Sequence, residues 1–157
     1  MKYLYTFLLC FAGLCCNAQE LSFEQLISYL QRPAKVVGDS LSVKGWQPVP
    51  AMSDTKDEQM YQTFSFGNMK ADSTQALAWL RIHADQQVVN QLYYQLPGQE
   101  AYLEMLRKIK VSGIEKKEMQ TIENNQVSTY YQSTDFTFQT ITGGGSYTVM
   151  VMTKRDD

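Results

Sequence analysis

The stretch ALAWLRIHADQQVVNQLYYQL, residues 76–96, decides the fold. Ala76 to Ala84 and Gln87 to Leu96 each alternate at a period of two, with only Asp85-Gln86 between them. That period is strand spacing, and so short a link makes the pair an antiparallel hairpin. Alternation also assigns faces, because successive side chains of a strand point to opposite sides of the sheet. Ala78, Leu80 and Ile82 fall on one face with Val88, Leu92, Tyr94 and Leu96. Trp79, Arg81, His83 and Tyr93 fall on the other, and Pro97-Gly98 ends the hairpin.

Upstream, the same period begins at Gln59, where Met60, Phe64 and Phe66 alternate with Tyr61, Thr63 and Ser65 until Gly67-Asn68 breaks the pattern. Before it, Phe23, Leu26, Ile27 and Leu30 recur at helical spacing, so Ser22 to Gln31 reads as an amphipathic helix. Ser22 and Gln25 form a capping box, Leu21 and Leu26 a hydrophobic staple, and Pro33 stops the helix. An extended stretch follows through Val36-Val37 and Gly45-Trp46, with Trp46 expected in the core. Pro48 to Glu58 reads as a polar surface loop. Downstream, Tyr102, Met105, Leu106 and Ile109 make Gln99 to Val111 a second helix, supported by the Glu104–Lys108 pair and capped at Gly113. The rest is strand-like: Ile114 to Ile122, an Asn124-Asn125 turn, Val127 to Gln132, Phe136 to Ile141, a Gly143-Gly144-Gly145 turn, and Tyr147 to Thr153.

The expected class is therefore α+β, with two helices on one face of an antiparallel sheet. Residues 19–157 form a single domain. The order of landmarks also fits a tandem α-β-β-β repeat with halves 19–98 and 99–157. Gly45-Trp46, Tyr61 and Trp79 are followed by Gly113-Ile114, Tyr130 and Tyr147 at a displacement of 68 or 69 residues. An unrepeated α+β domain is the alternative.

The first eighteen residues read as an address. Lys2 precedes an apolar run from Tyr3 to Cys16, and Asn17-Ala18-Gln19-Glu20 turns polar, which is the pattern of a secretory signal peptide cut after Ala18. The run is too short to span a bilayer and no second one follows, so no integral membrane insertion is expected. Cys10, Cys15 and Cys16 are the only cysteines and lie inside this segment. Leu14 before Cys15 and Gly13 at the distant position before Cys16 fit a lipid-attachment signal poorly, so a lipid-anchored form is the less favoured one. The expected location is periplasmic or extracellular. The processed chain starts at Gln19 without cysteine, so its stability comes from a hydrophobic core and not from disulfides.

Chemistry is sparsely signalled. With 14 Lys and Arg against 16 Asp and Glu, the net charge is −2, and no positive field gathers nucleic acid. His83 is the sole histidine, which removes multi-histidine metal sites, and on a strand beside Arg81 it reads as an exposed sheet residue. Gly143-Gly144-Gly145-Ser146 lacks the Lys-Ser/Thr and the helix of a phosphate loop and reads as a hairpin turn. Asp54, Asp57 and Glu58 lack the spacing of a calcium loop. Arg107, Lys108 and Lys110, with Lys116 and Lys117, are interleaved with Glu104, Glu115 and Glu118 and complement a helix C-terminus. Nothing selects a carboxylate pair for glycoside chemistry. No catalytic residue, cofactor or metal is assigned.

The notable feature is the face opposite the helices, which collects Tyr61, Trp79, Arg81, His83, Tyr93, Tyr130, Met150 and Met152. Trp, Tyr and Arg are the residues that anchor interfaces, and Trp79, Arg81, Tyr93 and Tyr130 are the candidate interaction residues. A covering loop such as Pro48 to Glu58, or a homodimer, would bury the same rings.

The tandem arrangement and the aromatic sheet face backed by helices resemble the architecture of the β-lactamase inhibitor protein family, and in shorter outline the PepSY-type module. The resemblance lies in element order and implies a sheet that grips another protein. The chain departs from the disulfide-bearing inhibitor pattern in having no cysteine after Cys16, and no functional residue is carried over. The reading is a secreted, non-enzymatic binding module whose partner is a protein or peptide of the cell envelope or exterior. A small-ligand carrier or envelope enzyme with a pocket between sheet and helices is the alternative.

Overall fold

The computed structural model describes residues 20–56, 58–67, 76–112, 120–123 and 125–154. The expected signal peptide, Gly113, Lys116, Lys117, Asp57 and most of the strand expected at Ile114 to Ile122 lie outside the described residues. The elements in order are α1 (Phe23–Tyr29), α2 (Ala34–Val43), β1 (Gln47–Pro48), a 3-10 turn (Pro50–Met52), β2 (Asp54–Lys56), β3 (Gln59–Phe66), β4 (Ala78–Asp85) and β5 (Val88–Gln95). These are followed by α3 (Gln99–Val111), β6 (Gln120–Glu123), β7 (Gln126–Gln132), β8 (Phe136–Gly143) and β9 (Ser146–Thr153). The fold is α+β and mostly sheet.

Every strand pairing is antiparallel, and the order across the sheet is β1-β3-β4-β5-β9-β8-β7-β6, with β2 sharing the outer edge of β3 with β1. Two runs of hairpins thus meet at their last strands, β5 against β9. The link from β5 through α3 carries the chain to the far edge, from which the second run works back.

Among the described residues three helices cover one face, one more than expected. Ser22 caps α1 as its sequence indicates, accepting from the Gln25 backbone N–H while the Gln25 side chain accepts from the Ser22 N–H. The helix ends at Tyr29, and Gln31 takes a left-handed φ of 63°. Pro33 then serves as the N-cap of α2 and does not merely stop a helix: its fixed φ suits a helix start, where no N–H is required. The stretch through Val36 and Val37, expected to be extended, is helical. Its buried residues are Ala34, Val37 and Leu41, a spacing of i, i+3, i+7. Gly38 faces β3 here, where a Cβ would lie 3.3 Å from the Phe64 ring, so glycine lets the helix approach the sheet.

One core lies between helices and sheet. Leu80, Ile82, Ala84, Leu92, Val89 and Val149 are fully buried beneath Leu26, Val37, Leu41 and Ile109. Trp46 is in this core, tilted on Phe66 at 5.4 Å and edge-on to Tyr94 at 6.1 Å. Phe23 stacks on Phe138 at 5.7 Å and Tyr102 on Tyr147 at 5.2 Å, which ties α1 and α3 to the second run of strands.

The β4–β5 hairpin differs from expectation in two ways. Its turn is Gln86-Gln87, both residues at positive φ (48° and 66°), the conformation of the tight hairpin turns that match strand twist. The register also slips between His83 and Ala84, leaving Asn90 as an extra residue, so Val89 and not Val88 faces the core. Val88 is 43% exposed and Val89 fully buried. Backbone bonds from Gln31 to Val89, from Val89 to Arg32 and from Ala34 to Gln87 pin the α1–α2 corner to this end of the hairpin. At the β8–β9 turn, Gly144 and Gly145 have positive φ, while Gly143 is required by proximity: a Cβ there would meet the Asn125 carbonyl oxygen at 2.6 Å.

The bulge predicts unequal neighbours: Val89→Ala should cost about 2 kcal/mol in chemical denaturation, and Val88→Ala less than about 0.5 kcal/mol. A second expectation concerns Tyr94, whose phenol is pushed up to about 12 by burial, against the opposing effect of the Leu21 N–H it accepts and with a small contribution from Glu20. The folded state holds that proton more tightly than the unfolded chain, whose phenols titrate near 10. The associated stability is present below pH 10 and is lost between about pH 10 and pH 12. Urea unfolding at pH 9 and pH 11.5 should show a loss of about 2 kcal/mol that is absent from Tyr94→Phe.

Candidate functional site: the outer face of the sheet

The uncovered face is built by the alternation that builds the core. The register places Tyr61 opposite His83, Thr63 opposite Arg81 and Ser65 opposite Trp79, then Arg81 opposite Tyr93 and Trp79 opposite Gln95. Across the join, Tyr93 faces Met150, Gln95 faces Thr148 and Gln91 faces Met152. All eight outer-face residues expected from alternation share this face.

A groove of about 360 Å³ lies on it, lined by Met52, Tyr61, Thr63, Trp79, Arg81, Tyr93, Gln95 and Thr148. Trp79, Tyr61 and Tyr93 are half-buried and Arg81 is exposed. Three of the four candidate residues therefore come together. Tyr130 does not join them: it stands on β7, three strand spacings or about 14 Å from β5, where its hydroxyl accepts from Gln139 Nε2 at 2.8 Å.

The segment read as a surface loop from Pro48 to Glu58 is instead β1, the 3-10 turn and β2, and it covers part of the face. Val49 N–H donates to the Thr63 carbonyl, Thr63 N–H to Ser53 Oγ at 3.1 Å, and Thr63 Oγ1 to the Met52 carbonyl at 2.7 Å. Thr63 is buried as a result, yet its hydroxyl also accepts from Arg81 Nε at 3.2 Å. The turn thus forms one wall of the groove and leaves Trp79, Arg81 and Tyr93 beside it. Met52 and Thr63 were not singled out from sequence. Alternation with Tyr61 places Thr63 on this face, but the return of the 3-10 turn onto it has no local signal.

His83 is half-buried and not exposed. It stacks on Tyr61 with centroids 4.5 Å apart and planes within 1°, and Nδ1 lies 3.5 Å from Gln91 Oε1. Met150 is buried beside it and its sulfur accepts from Gln91 Nε2 at 3.1 Å. The basic residues of α3 lie on the helix layer, where Lys108 pairs with Glu24 at 3.2 Å. The Glu24 carboxyl is held below the ordinary range by its own backbone N–H, and further by Lys108 and Ser22. Of the acidic cluster, Asp54 accepts from Thr55 N–H and Glu58 from Gln86 Nε2.

Between α1, α3 and the sheet, where a pocket was the alternative expectation, a cavity of about 310 Å³ is lined by Leu21, Leu96, Ala101 and Met105 and by the charged Glu20, Glu24, Glu104 and Lys108, with Tyr94 among the lining residues. Among the described residues no three His, Cys, Asp or Glu side chains come together to hold a metal ion, and no helix is long and apolar enough to cross a membrane.

Removing the Thr63 hydroxyl tests how the groove wall is held. Thr63→Val leaves the Met52 carbonyl without its donor and Arg81 Nε without its acceptor, and should cost about 1–3 kcal/mol in thermal or urea unfolding. Amide exchange should rise at Met52 and Ser53 and stay unchanged in β4.

Comparison of the chain with known protein families, with curated proteins and with solved structures finds no match, so the functional reading rests on the geometry of this face.

Proposed function

We propose that the chain is an exported, non-enzymatic binding module that holds a protein or peptide of the cell envelope or exterior against the outer face of its sheet, around Trp79, Arg81 and Tyr93. The observation that carries this reading is the groove itself: three half-buried rings around an exposed guanidinium, on a face that no described helix covers. Trp, Tyr and Arg supply most of the energy of typical protein interfaces, because large rigid side chains bury much area at little entropic cost. Export is supported by the apolar run from Tyr3 to Cys16 behind Lys2.

We also propose that the sheet is a tandem repeat, with a unit of one helix and four strands rather than three. What supports it is the mirrored strand order together with matched displacements of the strand starts on either side of the β3–β4 connection. β3 starts at Gln59 and β7 at Gln126, 67 residues on; β4 and β5 start at Ala78 and Val88, β8 and β9 at Phe136 and Ser146, each 58 residues on. The drop from 67 to 58 reflects the longer β3–β4 connection. The helix that matches α3 is α2, whose start at Ala34 precedes Gln99 by 65 residues. In this alignment Thr63, not Tyr61, corresponds to Tyr130, and Trp79 corresponds to Thr137, not Tyr147.

The test is cross-linked affinity capture from the envelope fraction of the source cells, with the full chain and its Trp79→Ala/Tyr93→Ala variant, read by mass spectrometry. One reproducible partner should be captured by the parent and at least tenfold less by the variant, whose melting temperature should stay within about 4 °C. If the variant instead melts far lower, the rings are structural and the reading fails. Self-cross-links alone would make the face a homodimer interface, and ligand found at the α1–α3 cavity by native mass spectrometry would favour the carrier alternative.

A further inference from the structure

We infer that Arg81 reads a carboxylate: the segment held on the outer face is acidic, seating an Asp or Glu side chain on the Arg81 guanidinium and an apolar or aromatic neighbour among the rings of Trp79 and Tyr93. This rests on the binding-module reading above.

Arg81 is the only charged side chain among the described residues that line the groove. Both ion pairs among the described residues, Lys35–Asp39 and Lys108–Glu24, involve helix residues, and no carboxylate of the described residues pairs with Arg81. Its Nε is committed to Thr63 Oγ1, which is held in turn by the Met52 carbonyl. That bond orients the guanidinium plane, and among the described residues no acceptor takes its terminal N–H donors. A planar fork of donors, pre-oriented at one nitrogen, is complementary to the two oxygens of a carboxylate. A phosphate group of nearly two negative charges is matched less well by one cation between apolar walls.

The sheet contains its own control for this position. In the register, Thr63, Arg81, Tyr93, Met150, Gln139 and Tyr130 form one row across six strands. The row is mirrored about the β5–β9 join. On one side Arg81 donates to the hydroxyl of Thr63 on the next strand outward; on the other Gln139 donates to the hydroxyl of Tyr130 on its next strand outward. A neutral amide meets the local hydrogen-bonding requirement of this site. The cationic side chain therefore exceeds what the sheet needs, and the excess is one positive charge with free donors, aimed at a groove between aromatic rings.

A displayed library of random twelve-residue peptides, selected on the immobilised full chain, tests the inference. Selected peptides should carry Asp or Glu within two positions of an aromatic or aliphatic residue. The best of them, synthesised, should bind at least tenfold more weakly to Arg81→Gln, and equally weakly to the parent when its acidic residue is made Asn or Gln. Arg81→Lys, which keeps the charge and loses the fork, should recover only part of the affinity. Thermal unfolding of each variant checks that the fold is kept. Peptides without acidic residues that bind Arg81→Gln as well as the parent, yet lose binding in Trp79→Ala, would overturn the carboxylate inference and leave the binding-module reading standing. A selection yielding no peptide dependent on Trp79 or Tyr93 would overturn both.

Discussion

The pairing of β5 with β9 is the constraint on which the molecule depends. Each strand ends a run of hairpins that is otherwise local, and only this ladder, from Gln91–Met152 to Gln95–Thr148, turns the two runs into one sheet. On the inner side it sets Leu92 against Val151 and Tyr94 against Val149, all buried beneath the helices. On the outer side it sets Tyr93 against Met150 and Gln95 against Thr148, so the groove straddles the join. Its partners are more than fifty residues apart in sequence, so this ladder carries a loop-closure cost that the local hairpins do not. The same ladder that completes the core completes the site.

The two faces then diverge for a physical reason. Helices must bury an apolar stripe, and the inner face offers one continuous apolar surface to all three. The outer face offers hydroxyls, amides and rings with polar edges, which tolerate water. Among the described residues its covered margin is β3, where the Val49 to Ser53 segment supplies hydrogen-bond partners for Thr63 and the turn is tied down by those bonds. That margin gives the groove a wall without closing it.

How much of this was legible in the sequence follows from the range of the interactions involved. The capping box at Ser22 and Gln25, the period of two in β3, β4 and β5, and the outer-face set from Tyr61 to Met152 are local patterns, and they were readable. Helix α2 was not, because Val36, Val37 and Val43 weigh against helix, Gly38 interrupts it, and Pro33 reads as a stop; its evidence was the burial spacing of Ala34, Val37 and Leu41. Val88 was assigned inward because a bulge at Asn90 shifts parity by one residue, and nothing in Gln-Gln-Val-Val-Asn announces it. The separation of Tyr130 from Trp79 and Tyr93 depends on strand order, which alternation does not encode. The repeat proposed above rests on α2, the helix the sequence reading missed, because its start at Ala34 is the one that precedes Gln99 by 65 residues.

Mirrored architecture also bears on where specificity resides. The strand order is mirrored about the β5–β9 join, but the residues are not: Tyr93 stands opposite Met150, and Thr63 and Tyr130 hold the two ends of the same row. The two sides differ in charge and relief: Arg81 against Gln139, Trp79 against Thr137, and the 3-10 wall at Met52 beside β3. Each difference falls on the same half and adjoins the same groove. Under the binding-module reading, the buried Thr63 that orients Arg81 is then the feature of this face that most distinguishes one half from the other.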